Sequence, residues 1–218
     1  MSEFRTEEEQ IAAIKRWWSD NGQSLLIGIG LALAIVFGWK AYQNSVIQTK
    51  TEASGLYQQL MSEATRNDFD NEEANTLAFL ANEIKTKFES SEYAIYAAMF
   101  LAKDAVEQKN YETAKAELNW ILDRTEDARI QHIVKGRLAR ILSAEGQHDE
   151  ALAMLDASLS QFEPVFLEIK GDINNRMGNK EQAIEAYQSA YQLVKNKPQS
   201  LPLLAVKLSD LGVNPETL

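Results

Sequence analysis

The chain has 218 residues and no cysteine, which excludes a disulfide framework, a thiolate metal site and a cysteine nucleophile. Lysine and arginine number 22 against 32 aspartates and glutamates, and the net charge of −10 argues against nucleic acid, whose phosphates require a basic face. With His132 and His148 as the only histidines, the chain has few of the ligands that a zinc enzyme uses.

Residues 1–20 predict an N-terminal segment with an amphipathic helix. Thr6 and Glu9 have the spacing of a capping box, Ile11, Ile14 and Trp18 share one face, and Asn21-Gly22 offers a stop. Such a helix suits the headgroup surface of a membrane, the alternative being one helix continuous with the apolar run after it.

Residues 21–43 predict a transmembrane signal anchor. Asn21 to Trp39 holds 19 residues without a charge. As a helix they reach roughly 28 Å, close to the hydrocarbon thickness of a bilayer. Lys15, Arg16, Trp17 and Trp18 precede the run, and Trp39, Lys40 and Tyr42 come after it, as cations and aromatic rings do at the two lipid interfaces. The flank before the run is acidic, and no small-residue cleavage site comes after it, so the span is expected to stay on the chain. Arg5, Lys15 and Arg16 on the N-terminal side outweigh Lys40 and Lys50 on the other, a bias toward an N-terminus inside. Gly30, Ala34 and Gly38 form a stripe of small residues against which a second membrane helix can pack.

Residues 44–218 carry nearly all of the acidity and read as helix throughout. The four prolines, Pro164, Pro198, Pro202 and Pro215, fall near the end, while Ala74, Leu77, Ala78, Ala81, Ile84 and Phe88 mark a single helical face. An internal repeat organises the region. Lys109–Leu122, Gly146–Leu159 and Gly178–Tyr191 each begin with a turn residue. An alanine comes next (Ala114, Ala151, Ala183), and then a large residue (Leu118, Leu155, Tyr187). Twelve positions before each alanine stands another small residue, Ala102, Ala139 or Gly171. Paired small residues let the two helices of a hairpin approach closely. Residues Gly55 to Ser90 suggest a further, diverged hairpin, and Leu203 to Leu211 a short capping helix.

This pattern resembles the tetratricopeptide repeat, a helix–turn–helix unit, in degenerate form: the aromatic expected early in the first helix is replaced by Ala98, Lys135 and Leu167. The expected fold is therefore all-α, a single N-terminal transmembrane helix followed by a tetratricopeptide-like α-solenoid of antiparallel helix pairs. Groove-lining positions of the repeat family map to Met99, Lys103, Ile133, Arg140, Asp172 and Arg176. That set mixes signs with apolar groups and lacks the Lys/Asn/Arg pattern that clamps a C-terminal carboxylate, which favours a protein surface over a short acidic tail.

No triad, carboxylate dyad, phosphate loop or cofactor motif is visible, so the expectation is a non-enzymatic chain with no cofactor and no small-molecule substrate. The combination of EEEQIAAIKRWWSDNG, a span ending FGWKAY and an acidic degenerate repeat region resembles the ancillary subunit of the bacterial Sec translocon, the YfgM type. The resemblance implies a single-pass protein of the bacterial inner membrane, with a cytoplasmic N-terminus and a periplasmic repeat domain. It also implies two partners, the Sec translocon (SecYEG) and a membrane-anchored periplasmic chaperone of the parvulin type, besides membrane lipid. An anchored receptor or adaptor for another envelope or import complex is the alternative.

Overall fold

The computed structural model describes residues 7–65, 71–155, 160–195 and 202–218. Thr6 of the capping box, Arg5, Pro198 and the end of the second repeat motif, 156–159, lie outside the described residues, as do the side chains of 71–75, Ala74 among them. Among the described residues the chain is helical and contains no strand. It forms two units, residues 1–55 and 56–218.

The first unit is helix from Glu7 onward. α1 (Glu7–Ala64) runs through it and ends in the second unit, with Glu7, Glu8 and Glu9 at its positive N-terminal end. The stop expected at Asn21-Gly22 is absent. Gly22 lies under Trp18, where an added Cβ would stand 3.2 Å from the indole, and the Asn21 side chain donates to the Trp17 carbonyl at 3.1 Å. Both residues are thus used inside the helix: the glycine makes room for the ring, and the amide satisfies itself locally. Part of α1 is long and apolar enough to cross a membrane, and none of that window is buried by protein.

The second unit is a series of helix pairs. The end of α1 and α2 (Asn71–Lys87) come first. Three hairpins succeed them: α3 (Glu92–Glu107) with α4 (Tyr111–Leu122), α5 (Ala128–Ala144) with α6 (His148–Ala153), and α7 (Glu163–Arg176) with α8 (Lys180–Val194). The short α9 (Leu204–Asp210) and a 3₁₀ turn, Pro215–Thr217, close the series. These hairpins coincide with the three sequence repeats, and α9 with the expected capping helix.

Each hairpin turns by the same backbone device. Lys109, Gly146 and Gly178 have φ of 58°, 85° and 81°. The next amide in each case reaches back to the helix, Asn110 to Ala105 at 2.8 Å, Gln147 to Leu142 at 2.9 Å and Asn179 to Asn174 at 2.8 Å. This is the Schellman closure, which satisfies the last carbonyls of a helix and needs a left-handed residue that glycine adopts without strain. Gly212 repeats it after α9, with φ 84° and a bond from Val213 to Leu208.

The core is divided into clusters that each bridge consecutive helices, as expected when every repeat packs only on its neighbours. One joins Ala98 and Ala102 of α3 to Ala114, Leu118 and Ile121 of α4 and to Val134 and Leu138 of α5. The next joins Ala139 and Leu142 to Ala151, Leu155, Phe166 and Ile169. A third lies between α8 and α9, around Tyr187, Ala190, Leu204 and Leu208. At the other end Leu60 of α1 packs with Leu80 and Ile84 of α2 and with Ala97 and Leu101 of α3.

Candidate interaction surfaces

The helix-pair contacts set the geometry of everything the array presents. Ala102, Ala114, Ala139, Ala151 and Ala183 are all buried at 0–2 % exposure. In the third hairpin the pair changes size. Tyr187 stands where Leu118 and Leu155 stand in the others, and a Cβ on Gly171 would meet its ring at 2.3 Å. A larger side chain from α8 is thus matched by the loss of a methyl from α7.

Tyr187 is more than a filler. Its hydroxyl donates to Asp172 at 2.8 Å, and the same carboxylate receives Lys207 of α9 at 2.7 Å, while Lys207 also reaches the buried Glu168 at 2.8 Å. Burial first, then the Asp172 hydrogen bond, raises the phenol's pKa well above its ordinary 10.0. The arrangement ties the last helix to α7. It also means that Asp172, a predicted groove residue, has its carboxylate engaged from within the array.

The first helices of the three hairpins, α3, α5 and α7, line two cavities. The first, about 450 Å³, has Met99, Phe100, Val106, Leu118 and Ile141 as apolar lining, with Lys103, Glu107, Arg137 and Arg140 around them. The second, about 370 Å³, is lined by Arg140, Ser143, Asp172, Arg176 and Tyr187 among others. Arg140 belongs to both, so the cavities adjoin. Of the predicted set, Met99, Lys103 and Arg140 thus border the first cavity, and Arg140, Asp172 and Arg176 the second. Ile133 is exposed and lines neither cavity.

The charges around these cavities differ in how they are met. Lys103 pairs with Glu107 at 3.3 Å on its own helix, and Arg176 donates to the Ser143 hydroxyl at 3.3 Å. Arg137 and Arg140 make no hydrogen bond or ion pair among the described residues. Desolvation, and then the Arg140 guanidinium, hold the Arg137 pKa below its ordinary value. Arg137 is absent from the predicted groove set because that set takes the repeat family's positions. The signal is nonetheless in the sequence: Arg137 and Arg140 are three apart on one helix with no acidic residue three or four positions from either.

Elsewhere in the array, charge pairs tie neighbouring helices. Lys85 of α2 meets Glu117 of α4 at 2.6 Å and lies 4.9 Å from the Trp120 ring, with Arg124 on that ring at 4.3 Å. Lys115 of α4 meets Glu145 beyond α5 at 2.8 Å. His132 is buried, bonded to the Ala128 carbonyl and stacked with Phe162 and Phe166, while His148 approaches the Ser143 hydroxyl at 3.3 Å.

The second surface belongs to α1. A Cβ added at Gly30 or Gly38 would meet nothing within 4 Å, and Ala34 between them is exposed. The large side chains of the same stretch, Ile29, Leu33, Ile35, Phe37 and Trp39, are exposed as well.

Known proteins match this chain over most of its length. Residues 15–213 match the family described as tetratricopeptide repeat-like domain. A protein of Aggregatibacter actinomycetemcomitans named ancillary SecYEG translocon subunit is 31% identical over 94% of this chain and 97% of its own. Proteins of the same name from Haemophilus influenzae and Escherichia coli are 29% and 25% identical, over 85% and 98% of this chain and 89% and 100% of theirs.

Proposed function

We propose a function from one premise: the chain belongs to the tetratricopeptide repeat-like family of ancillary SecYEG translocon subunits, the YfgM type. On that premise it is a non-enzymatic scaffold of the bacterial inner membrane that sits beside the SecYEG channel and supports secreted or membrane proteins as they emerge. Its N-terminus is cytoplasmic and its repeat domain periplasmic, where a membrane-anchored chaperone of the parvulin type is its second partner.

The observation that carries this reading is an apolar helical stretch that is exposed throughout, on the same chain as a helical array with lined cavities. The span anchors, with Gly30, Ala34 and Gly38 as its face toward another membrane helix, and the groove binds. Small-residue stripes allow close backbone approach in lipid, where packing drives association. Anchoring confines the array to a thin layer beside the membrane, so modest groove contacts gain from a raised effective concentration.

Two measurements test it. Protease added to spheroplasts should digest the chain after Tyr42 and spare the N-terminal segment; digestion only after membrane rupture would reverse the topology. Purification from native membranes should recover SecYEG and a periplasmic chaperone, and recovery of neither would end the scaffold reading.

A further inference from the structure

We infer that the groove between α3 and α5 receives an internal peptide segment in which a side-chain carboxylate is flanked by large apolar residues, the carboxylate being held by Arg137 and Arg140. The inference rests on the scaffold reading and names the chemistry of the segment its groove takes.

The argument starts from charge. In a chain with a surplus of ten negative charges, the cations around this groove have ready partners, as Lys103 has in Glu107. Arg137 and Arg140 stand apart, with no hydrogen bond or ion pair among the described residues although they lie beside one another. Two adjacent guanidinium groups repel, and each keeps five N–H donors that fit a carboxylate in forked geometry. A carboxylate set between them relieves the repulsion and fills those donors together. Residues three apart on a helix lie within reach of one such group.

The surroundings narrow the ligand. Both arginines border the cavity lined by Met99, Phe100, Val106 and Ile141, of which Val106 is 38 % exposed. The volume of about 450 Å³ accommodates large apolar side chains beside the anchored carboxylate. A long acidic tract is disfavoured, because the array is itself acidic and Glu107 borders the same cavity. The same acidity opposes an anionic lipid surface. A chain end is not required, because the arginines can take a carboxylate on any side chain. What fits is an extended or helical segment with one or two carboxylates among leucine-like or phenylalanine-like residues.

The test uses the full chain in detergent and a short fluorescent peptide, blocked at both ends, with Leu-Asp-Phe at its centre and serine and glycine around it. Its companion carries Asn for Asp. The aspartate peptide should bind about tenfold or more tightly than the asparagine one, the loss expected for a charge-assisted hydrogen-bonded pair. The double variant R137Q/R140Q should lower the aspartate peptide to the asparagine level. The pair R137K/R140K, which keeps charge without the fork, should fall between. Equal binding of the two peptides, no binding of either, or an undiminished R137Q/R140Q would each overturn the inference. So would capture of short-chain phosphatidylglycerol by the unaltered chain, lost in R137Q/R140Q, with no peptide bound. Recovery of SecYEG from membranes keeps the two readings apart. R137Q/R140Q should still recover the channel through its span, and failure of the unaltered chain to do so would overturn the scaffold reading instead.

Discussion

The two units of this chain use the same residue types to opposite ends. In the first, Ile29, Leu33 and Ile35 of α1 are 49–71 % exposed. In the second, Ile84, Ile121 and Ile169 are fully buried, each in a cluster shared by neighbouring helices. The same holds for small residues: Gly30 and Ala34 face open space, while Gly171 and Ala151 are closed in by facing helices. Leaving so many apolar side chains in water would oppose folding, so their solvent must be something other than water. The array needs no such solvent, because its periodic small-and-large pattern closes on itself. What a helix buries thus depends on what is placed beside it, and composition alone does not distinguish the two cases.

Matched substitutions sharpen this contrast most strongly at alanine. Ala151→Trp should destabilise the array by about 3 kcal/mol or more through overpacking. Ala34→Trp should leave thermal unfolding of the array unchanged and lower only the recovery of SecYEG. Melting followed by circular dichroism checks the first, and co-purification the second. If both variants melt alike, the repeat register is misassigned.

The glycines give a gentler pair. Gly171→Ala sets a methyl into the Tyr187 ring and should cost about 1–3 kcal/mol, whereas Gly30→Ala meets nothing and should cost the fold nothing. The combination Gly171→Ala with Tyr187→Leu rebuilds the small-and-large pairing of the other two hairpins and should recover part of the loss. Denaturant midpoints with unchanged slopes decide this.

At the turns the expected changes are smaller and run in both directions. Gly178→Ala places a Cβ on a left-handed residue, φ 81°, and should cost about 1 kcal/mol. Lys109→Gly removes that strain at φ 58° and should stabilise the array by up to about 1 kcal/mol. A destabilised Lys109→Gly would show that the first turn is held by contacts rather than by backbone preference.

Much of this architecture is legible as spacing. The turn residues, the paired small residues and the large residue four beyond each alanine identify the three hairpins, since those positions recur once in each repeat. The continuity of α1 is legible only as the alternative reading, because Asn21-Gly22 offers a stop until Trp18 is seen over the glycine. α6 ends at Ala153, earlier than the motif through Leu159 suggests, and residues 156–159 lie outside the described residues. The roles of Asp172 and Lys207 escape the sequence for a different reason: a carboxylate engaged by Tyr187 and by a cation from α9 is a tertiary fact, invisible in any one helix. Arg137 is readable from its spacing to Arg140 but falls outside the repeat family's groove positions.

The mildest effect concerns acid. Asp127 caps α5 by accepting from the Arg129 amide at 2.8 Å. The Arg129 side chain first, and then that amide, lower its pKa from 3.8 to about 2. A carboxylate lowered on folding stabilises the fold above its ordinary pKa and loses that contribution as pH falls. The cap should therefore weaken between pH 3.8 and about 2. Asp127→Asn should flatten that portion of the stability profile slightly, and an unchanged profile would mean that the exposed pair contributes nothing.

The scaffold function itself is tested most directly by photo-crosslinking in native membranes. A crosslinking residue placed at Ala34 should yield adducts with a SecYEG subunit, while one at Val36, half a turn round the same helix, should yield far fewer. A third placed at Met99 should capture a periplasmic protein and no cytoplasmic one. Absence of any SecYEG adduct from the span, with cytoplasmic partners at Met99, would contradict both the association and the topology.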